Sequence, residues 1–454
     1  MSISIRSTIP GLRWPGLPGQ DGARLLAMLH QLDRSQWWPP AQLAVHQFRQ
    51  LETIVAHCSQ HMPFWRDRLR AAGIRPGQKL TADIWRRLPI LSRREARDVN
   101  AQLLCSAIPP GHGRVAEAAT TGSTGVPLEY ARTELSMLYW RAFNLRSGLW
   151  HHMDTRGKIA LIRYGKTAPG GDRSPDWGEG WIDAFHTGQM VRLDATYSLA
   201  EQADWLLAEN PDYLLVRPSS AMLLAEHFRQ TGQRIPNLRA VQTIGEVVSP
   251  ALRQMCHDVF GVAVVDVYSA EEAGFLALQC PQHNHYHVVS ENVLMELLDD
   301  DDRPVAPGEV GRVVVSTLNN FVMPLLRYEL GDHAELGQPC PCGRGLPVLN
   351  HIVGRTRDRI TMPDGTHRFA YYGTPHIHEI APIVQHQMVQ VAPTRMEYHL
   401  VVRRPLTAEE RATMTGWLHD AMGYPFELSF VYVDEIPRGP GGKYQDFRSE
   451  IDPP

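Results

Sequence analysis

Short apolar segments alternate with a helical pattern between residues 150 and 275, and this alternation limits the chain to few folds. KIALIRYG (158–165) and PDYLLVRP (211–218) are typical of buried strands, and an amphipathic helix pattern follows the second. RAVQTIGE (239–246) and VAVVDVYSAEEAG (262–274) repeat the strand pattern. Such alternation indicates a mostly parallel sheet, whose binding site lies at the carboxyl ends of the strands.

The segments on either side of this region have other patterns. QLAVHQFRQLETIVAHCSQHMPFWRDRLRAAG (42–73) has apolar residues at helical spacing and ends at a glycine. VLMELLDDDDRPVAPGEVGRVVVSTL (293–318) predicts a hairpin with an acidic turn, and from about residue 359 strand and helix patterns form a smaller unit. The predicted fold class is therefore α/β, with a β-rich part after the parallel strands.

Composition argues against several classes of function. The 454 residues hold 45 lysines and arginines against 49 aspartates and glutamates, and the net charge of -4 gives no reason to expect a nucleic-acid partner. Six scattered cysteines are too few for a disulfide scaffold. The N-terminus lacks the apolar core of a signal peptide, and no apolar run has the length of a membrane span. We expect a cytoplasmic protein without a membrane partner.

The stretch TTGSTGVPLEY (120–130) is rich in glycine and in hydroxyl side chains. Glycines allow positive φ and leave backbone N–H groups exposed, so such a run can form a concave nest for phosphate oxygens. It lacks the Gly-Lys-Ser/Thr ending of a Walker loop, and by itself a flexible loop explains it equally well. The phosphate-binding candidates are Thr120, Thr121, Gly122, Ser123, Thr124 and Gly125.

Three further polar signatures follow apolar segments. Glu272 in YSAEEAG is placed to hold Mg²⁺ against a triphosphate, although a solvated helix start also favours glutamate. Asp332 in LLRYELGDH suits the two hydroxyls of a ribose, although a plain Gly-Asp turn is commoner. Lys443 follows two glycines that would let it reach a site formed elsewhere, whereas a surface position is the default for lysine.

The order of these signatures is more specific than any one of them. They run in the order TTGSTGVP, YSAEE, RYELGD, GRTRD and PRGPGGK, and in this order they resemble the signatures of the adenylate-forming superfamily. The segments LRAAGIRPGQKLTADIWRRLPILSRREAR (69–97) and CPCGRG (340–345) are similar to parts of its phenylacetate-CoA ligase family. The likeness extends from about residue 45 to residue 448.

The resemblance implies a division of the chain into two domains. A large AMP-binding domain would span residues 1–356, with parallel sheets flanked by helices and a β-rich subdomain at about 280–350. A small mobile α/β lid domain would span 357–454 and carry Lys443. Residues 354–358 would be the hinge between them, since a few residues suffice to absorb a change in φ and ψ.

The resemblance also implies roles for the polar residues. The loop would hold the β- and γ-phosphates of ATP, Glu272 would hold Mg²⁺, and Lys443 would bridge the substrate carboxylate and the α-phosphate. Asp332 would bind the ribose, and Arg355 would contact ribose or phosphate. The remaining nucleotide-binding candidates are Tyr268 near the adenine, Ser269 and Glu246.

The implied function is the ATP-dependent activation of a small aromatic carboxylic acid as an acyl-adenylate, followed by transfer to CoA. Pyrophosphate would leave in the first step, and a homodimer is the expected assembly. The chain departs from the pattern at Val126, where many relatives have lysine, at Glu329 and Leu330 of the ribose turn, and at Arg357 of the hinge. The acceptor could therefore instead be an amine or a carrier-protein thiol. A hypothesis of another class is a non-catalytic nucleotide-binding pseudoenzyme.

The segments CPQHNHYH and CPC hold half of the cysteines and three alternate histidines. Cysteine and histidine in two short clusters suggest a tetrahedral structural Zn²⁺. Cys280, Cys340 and Cys342 would join one histidine, and His287 is favoured because it begins an apolar strand. The spacing is not the usual Cys-x₂-Cys pair, so free thiols remain the alternative.

Four residues are candidates for the wall of the acid pocket. Trp140 and Phe143 lie on the helix after the glycine-rich loop, where such side chains are more often core. Arg217 and Ile244 lie at strand ends, and a charge at the carboxyl end of a strand usually faces a site.

Overall fold

The computed structural model describes residues 5–120, 127–355, 359–369, 377–437 and 444–451. The helices within these ranges are α1 (Gln20–Ser35), α2 (Pro40–His61), α3 (Pro63–Ala71), α4 (Ala82–Trp85), α5 (Arg93–Asp98), α6 (Glu134–Trp150), α7 (Leu199–Glu209), α8 (Pro218–Thr231), α9 (Pro250–Phe260), α10 (Ile377–Ile380) and α11 (Ala408–Met422), with a 3-10 helix at Asn100–Leu103. Among these described helices, none combines the length and apolar character needed to cross a membrane.

The strands lie mostly between residues 115 and 355 and again after 383. They are β1 (Val115–Ala119), β2 (Glu129–Thr133), β3 (Ile159–Arg163), β4 (Asp172–Ser174), β5 (Met190–Asp194), β6 (Tyr213–Val216), β7 (Ala240–Ile244), β8 (Ala263–Ala270), β9 (Gly274–Gln279), β10 (Tyr286–Val288), β11 (Val293–Leu298), β12 (Val310–Thr317), β13 (Tyr328–Leu336), β14 (Val348–Arg355), β15 (Arg359–Thr361), β16 (His367–Phe369), β17 (Ile383–Ala392), β18 (Arg395–Val402), β19 (Glu427–Tyr432) and β20 (Phe447–Ser449).

Twelve strands of the described chain form one sheet, in the order β11-β12-β13-β14-β10-β9-β8-β7-β6-β3-β5-β4. Neighbouring strands from β5 through β3, β6 and β7 to β8 are parallel. From β8 to β11 all neighbours are antiparallel. The predicted α/β fold class is therefore confirmed, and the acidic hairpin predicted at 293–318 is formed by β11 and β12.

A proline divides the long helix that the N-terminal pattern predicts. The structure has α2 and α3 in place of one helix at 42–73, and Met62 between them is extended, with φ -126° and ψ 101°. Pro63 has no N–H and restricts the preceding residue to extended conformations, so the helical pattern predicted at 42–73 is present as two helices. The cap predicted for α5 is present, because the Ser92 hydroxyl accepts a hydrogen bond from the Glu95 amide at 3.1 Å.

Both faces of the parallel strands are covered by apolar packing. On one face, Ile159 and Tyr213 belong to a core that includes Phe143 of α6. On the other face, Ile162 and Val216 pack in a core formed with α7, α8 and α9. Side chains alternate between the two faces of a strand, so each strand contributes to both cores. The residues that follow the strands lie at the edge of the sheet, between the helices of the two faces. This is where open α/β sheets place their binding sites.

Residues after 383 form a four-stranded sheet in the order β19-β18-β17-β20. Their core contains Met388, Tyr398 and Phe447, packed against Met414 of α11. A reciprocal capping box starts α11, in which Thr407 and the glutamate three residues later bond each other's backbone. This unit therefore has its own core, as the strand and helix patterns after residue 359 predict.

Candidate active site

Thr120 and Leu128 close the base of the glycine-rich loop. β1 and β2, which lead into and out of the loop, are antiparallel neighbours. The Thr120 amide donates to the Leu128 carbonyl at 2.9 Å, and the Leu128 amide donates to Thr120 Oγ1 at 2.9 Å. The loop residues Thr121, Gly122, Ser123, Thr124 and Gly125 lie outside the described residues, so their role stays a prediction.

Arg93, the first residue of α5, joins Glu272 to the base of this loop. Its Nη1 donates to Glu272 Oε1 at 2.5 Å and to the Tyr328 hydroxyl at 3.1 Å, and its Nη2 donates to Thr120 Oγ1 at 3.3 Å. The Tyr328 hydroxyl donates to the same Glu272 oxygen at 3.1 Å. Three segments far apart in sequence therefore meet at one carboxylate.

Burial and charge act in opposite directions on this cluster. Burial lowers the pKa of Arg93, but Glu272 and Tyr328 outweigh it and leave that pKa raised. Burial, followed by the charge of Glu272, raises the pKa of Tyr328 well above its usual value. Tyr328 thus stays a hydrogen-bond donor at neutral pH. The second carboxylate oxygen of Glu272 accepts no hydrogen bond from the described residues, and Glu272 lines a narrow pocket of about 30 Å³.

The structure brings together Tyr268 and Asp332, the two candidates for contacts with the nucleoside. The Tyr268 hydroxyl donates to Asp332 Oδ2 at 2.8 Å, which links β8 to β13. Gly331 precedes this aspartate with φ +79°, a conformation that favours glycine. Arg355 of β14 lies directly opposite Asp332 in the register of the two strands, and Ser269 follows Tyr268 on β8.

Glu246 connects the end of β7 to the C-terminal unit. Its Oε2 accepts a hydrogen bond from the Ser219 amide at 3.0 Å, and its Oε1 accepts one from the Tyr444 amide at 3.1 Å. Gly245, with φ +85°, turns the chain so that this carboxylate follows the strand. Tyr444 directly follows Lys443, which lies outside the described residues. The contact therefore holds the chain immediately beside the predicted catalytic lysine.

The four predicted pocket residues differ in what they can contact. Trp140 lines the narrow pocket beside Glu272. Phe143 is fully buried in the core beneath α6, so in contrast to the prediction it offers no surface to a substrate. Arg217 directly follows β6, and Ile244 ends β7, so both lie at the carboxyl edge of the parallel strands.

A second cluster, away from these strand ends, consists of Cys280, His285, His287 and Cys340. Their ligand atoms all lie within 4.8 Å of one another. The Cys280 and Cys340 sulfurs are 3.8 Å apart, and His285 Nε2 lies 3.0 Å from Cys340 Sγ. Burial, followed by the charge of His285, lowers the pKa of His287 to about 3, which keeps that imidazole neutral. Two thiols and two neutral imidazoles are a donor set suited to a tetrahedral metal.

Cys342, a predicted member of the metal site, lies beside this group of four. Its sulfur is 3.4 Å from His287 Nε2 and accepts a hydrogen bond from Arg344 Nη1 at 3.5 Å. Burial raises the pKa of Cys342, but hydrogen bonds from Arg344 outweigh it and lower that pKa. His285 takes the fourth place that the sequence prediction gave to Cys342.

Sequence reasoning missed Arg93 and Tyr328, and it named His285 only as an alternative to His287. Arg93 belongs to a capping pattern whose serine and glutamate explain its position without any site. Tyr328 lies four residues before Asp332 on β13, and the register of β13 with β12 shifts between them. The available signal was the place of Tyr328 in the motif RYELGD, which the sequence interpretation used only for Asp332.

The chain is similar to known proteins in sequence and in fold. A family model described as AMP-binding enzyme matches residues 184–323. The chain is similar to a phenylacetate-coenzyme A ligase of Thermus thermophilus, with 26% identity over 389 residues that cover 82% of this chain and 81% of the relative. The corresponding ligase of Escherichia coli is 24% identical over 328 residues, 71% of this chain and 73% of the relative. A crystal structure of 2-hydroxyisobutyryl-CoA ligase in the postadenylation state superposes with a TM-score of 0.74, at 19% identity over 92% of both chains.

Proposed function

The chain belongs to the adenylate-forming, AMP-binding superfamily and to its phenylacetate-CoA ligase-like family, and we propose that it activates a small aromatic carboxylic acid with ATP. It is an AMP-forming acid-CoA ligase, which works through an acyl-adenylate. In the first step the acid attacks the α-phosphorus of ATP and pyrophosphate leaves. In the second step the acyl group passes to the thiol of CoA.

The observation that carries the proposal is the cluster of Arg93, Glu272 and Thr120 at the base of the phosphate loop. Glu272 joins the end of the parallel strands to this base through the guanidinium of Arg93. Both reactants of the first step are anions, so cations fixed beforehand lower its barrier by positioning and by charge neutralisation. Arg93 would supply one such cation and Lys443 another.

Glu272 suits the magnesium ion that accompanies ATP. One carboxylate oxygen takes both described hydrogen bonds, and the other accepts none from the described residues. The adjoining pocket has room for about one water molecule or ion, judged by the volume a water occupies. Bound there, magnesium would neutralise phosphate charge, and Arg93 would hold the carboxylate in place.

The hydrogen bond between Tyr268 and Asp332 supports a nucleoside site near β8, the strand at which the sheet changes from parallel to antiparallel. Asp332 keeps a carboxylate oxygen fixed by the tyrosine, which orients the group for the two ribose hydroxyls. We assign Tyr268 to the adenine side and Arg355 to ribose or phosphate. The separate core of the C-terminal unit supports a division into a domain at 1–356 and a lid domain at 357–454 that carries Lys443.

Aromatic packing around α6 supports an aromatic acid as the substrate. The Trp140 ring lies 4.4 Å from the Phe275 ring, and both line the pocket beside Glu272. Because this pocket has room for only about one water molecule or ion, an aromatic acid would stack against these rings from outside it, at centroid distances of about 4.5 to 7 Å.

We also propose that Cys280, His285, His287 and Cys340 hold a structural Zn²⁺. The four ligands come from the two ends of the segment between β9 and β10, from β10 itself and from the loop before β14. A closed set of two thiolates and two imidazoles leaves no open position for chemistry, so the ion would only join these segments. Metal analysis of the purified protein tests this directly.

Pyrophosphate release with ATP and Mg²⁺ tests the function across matched aryl and aliphatic acids, with and without CoA. We expect release that requires an aromatic acid and turns over repeatedly only with CoA. Release that stops after a single turnover in the presence of CoA would point to an amine or carrier-protein acceptor. ATP binding without release for any acid would point to a pseudoenzyme.

A further inference from the structure

Two arginines lie side by side at the carboxyl edge of the parallel strands. Leu161 of β3 lies opposite Leu215 of β6 in the parallel register. Arg163 and Arg217 each come two residues later, so they continue this pairing on the same face of the sheet. Residues of this face pack in the core under α6, so the two guanidinium groups emerge on the α6 side.

Arg163 is exposed at this edge, and Glu271 is the acidic residue whose charge acts on it. Its guanidinium makes no hydrogen bond or ion pair with any described residue, although the surrounding protein is close enough to desolvate it. Desolvation lowers the pKa of Arg163, Glu271 raises it, and the neighbouring Arg217 lowers it again.

An aromatic ring and an aliphatic residue lie beside the pair. The Arg217 guanidinium lies 5.0 Å from the centre of the Tyr164 ring. Ile244 continues the same row on β7, because Val216 and Thr243 are opposite each other in the register of β6 and β7. A ligand at this position would therefore have an apolar or aromatic body and an anionic end.

The pair is distinct from the groups that serve the reacting carboxylate and the nucleotide. Arg93 is engaged with Glu272, and Tyr268 with Asp332. β3 is three strands away from β8 in the sheet, roughly 14 Å at the usual strand spacing. Arg163 on β3 is therefore separated by two intervening strands from Tyr268, the nucleoside candidate on β8.

We propose that Arg163 and Arg217 bind a second anionic group of the acid, so that the substrate is an aromatic acid with a second carboxylate. This inference rests on the proposed function and narrows its substrate class. Two guanidinium groups offer paired N–H donors that match the geometry of a carboxylate. The reacting carboxylate would then point along the carboxyl edge of the sheet toward Glu272. The second carboxylate would be held by the arginines that follow β3 and β6.

Equilibrium binding to the full-length protein tests the inference with matched acids. Phenylacetate is compared with 4-carboxyphenylacetate, and benzoate with isophthalate, by titration calorimetry in the presence of AMP. We expect at least one dicarboxylate to bind about 10 to 100 times more tightly than its partner, the usual gain from hydrogen bonds to charged groups. Arg163→Gln should remove that gain and leave the monocarboxylate within about threefold. Arg163→Lys should keep part of it.

Arg234→Gln is the matched control, since Arg234 is an exposed arginine between α8 and β7. It should leave both affinities unchanged. Arg163→Gln should also melt no lower than the wild type, because it removes one of two neighbouring like charges. A lower melting temperature together with equal losses for both acids would mean that Arg163 is structural, and would overturn the inference.

Two further outcomes would overturn it. Equal affinity of the wild type for every matched pair would mean that the pair recognises no second carboxylate. A raised KM for CoA or ATP in Arg163→Gln, with the ratio of acid affinities unchanged, would assign the arginines to a phosphate of the cosubstrate. Pyrophosphate release distinguishes a failure of this inference from a failure of the proposed function. Release with monocarboxylates alone would refute a second carboxylate on the substrate and leave the proposed ligase activity standing. A carboxylate-dependent gain in binding without any release would refute the ligase and leave the inference.

Discussion

The guanidinium of Arg93 and the carboxylate of Glu272 form a buried ion pair, with Nη1 and Oε1 2.5 Å apart. Their side chains are 15% and 4% exposed, so water screens the pair little. Arg93 comes from the helical N-terminal part of the chain and Glu272 from the end of the parallel strands. The pair therefore links the N-terminal helices to the base of the proposed phosphate site.

Arg93→Gln should lower adenylation strongly. Loss of one fixed cation near a phosphoryl group typically costs about 10²–10³ in rate. The substitution also leaves Glu272 buried without its charged partner, which should lower the free energy of unfolding by about 3 kcal/mol. Pyrophosphate exchange and denaturant unfolding measure the two effects on the same samples.

Arg94→Gln is the control for this substitution, because Arg94 is the exposed neighbour on the same helix. Arg93→Lys keeps the charge and should recover part of the stability. Near wild-type pyrophosphate exchange in a folded Arg93→Gln protein would remove Arg93 from the site.

Regular patterning made most of the fold predictable, and long-range contacts made part of the site unpredictable. The parallel strands β3, β6, β7 and β8 were predictable because each is mainly apolar and leads into a polar turn, as in VAVVDVYSAEEAG. The parallel strand β5 was not predicted, because its sequence MVRLD contains two charged residues. Pro63 could have been recognised as a helix boundary, but apolar spacing on both sides of it concealed the break. The partnership of Arg93 with Glu272 spans 179 residues, and no local pattern encodes it. The sequence could not decide between the histidines or exclude Cys342, because which of these close neighbours lie together depends on how the segments before β10 and before β14 fold.

Glu246→Ala should slow the first half-reaction more than the second. Glu246 accepts hydrogen bonds from the amides of Ser219 and Tyr444, and Tyr444 follows Lys443 directly. Without the carboxylate, the segment beside Lys443 loses its anchor on the parallel sheet, which should reduce the adenylation rate about 10-fold. Rapid-quench measurement of acyl-adenylate formation gives this rate, and thioester formation from supplied acyl-adenylate gives the other.

Glu409→Ala, an exposed glutamate on α11, serves as the control for the C-terminal unit. Equal slowing of both half-reactions in Glu246→Ala would show that the contact does not act on the lysine segment.

Lys443→Ala should abolish acyl-adenylate formation and leave the fold intact. Lys443 is assigned to bridge the substrate carboxylate and the α-phosphate, where charge develops during the first step. Transfer from supplied acyl-adenylate to CoA should continue, since that charge has by then departed with pyrophosphate. Lys79→Ala, at an exposed lysine before α4, is the matched control. Adenylation by Lys443→Ala at the wild-type rate would remove the residue from this role.

Cys340→Ser should lose the bound metal and lower the melting temperature. Cys340 lies within reach of the Cys280 sulfur and of His285 Nε2, so its loss opens the ligand set on two sides. A chelator should lower the melting temperature of the wild type by a similar amount and leave that of the variant unchanged. Cys105→Ser, at a buried cysteine outside the cluster, is the comparison. Metal content that survives Cys340→Ser would rule out the proposed ligand set.

His151 should make the protein less stable as the pH falls from about 6.5 to about 4. Burial lowers the pKa of His151 from 6.5 to about 4, while its Nε2 donates to the Gln279 carbonyl at 3.1 Å. The folded protein therefore binds fewer protons than the unfolded chain in this window, and its stability is complete only above pH 6.5. The gap corresponds to a loss of up to about 3 kcal/mol on acidification. His151→Gln should retain the contact to the carbonyl and flatten the dependence of unfolding free energy on pH between 6.5 and 4.

His257→Gln, at an exposed histidine of α9, should leave the dependence as it is in the wild type. A pH profile of His151→Gln that coincides with the wild type would assign the acid sensitivity to other groups.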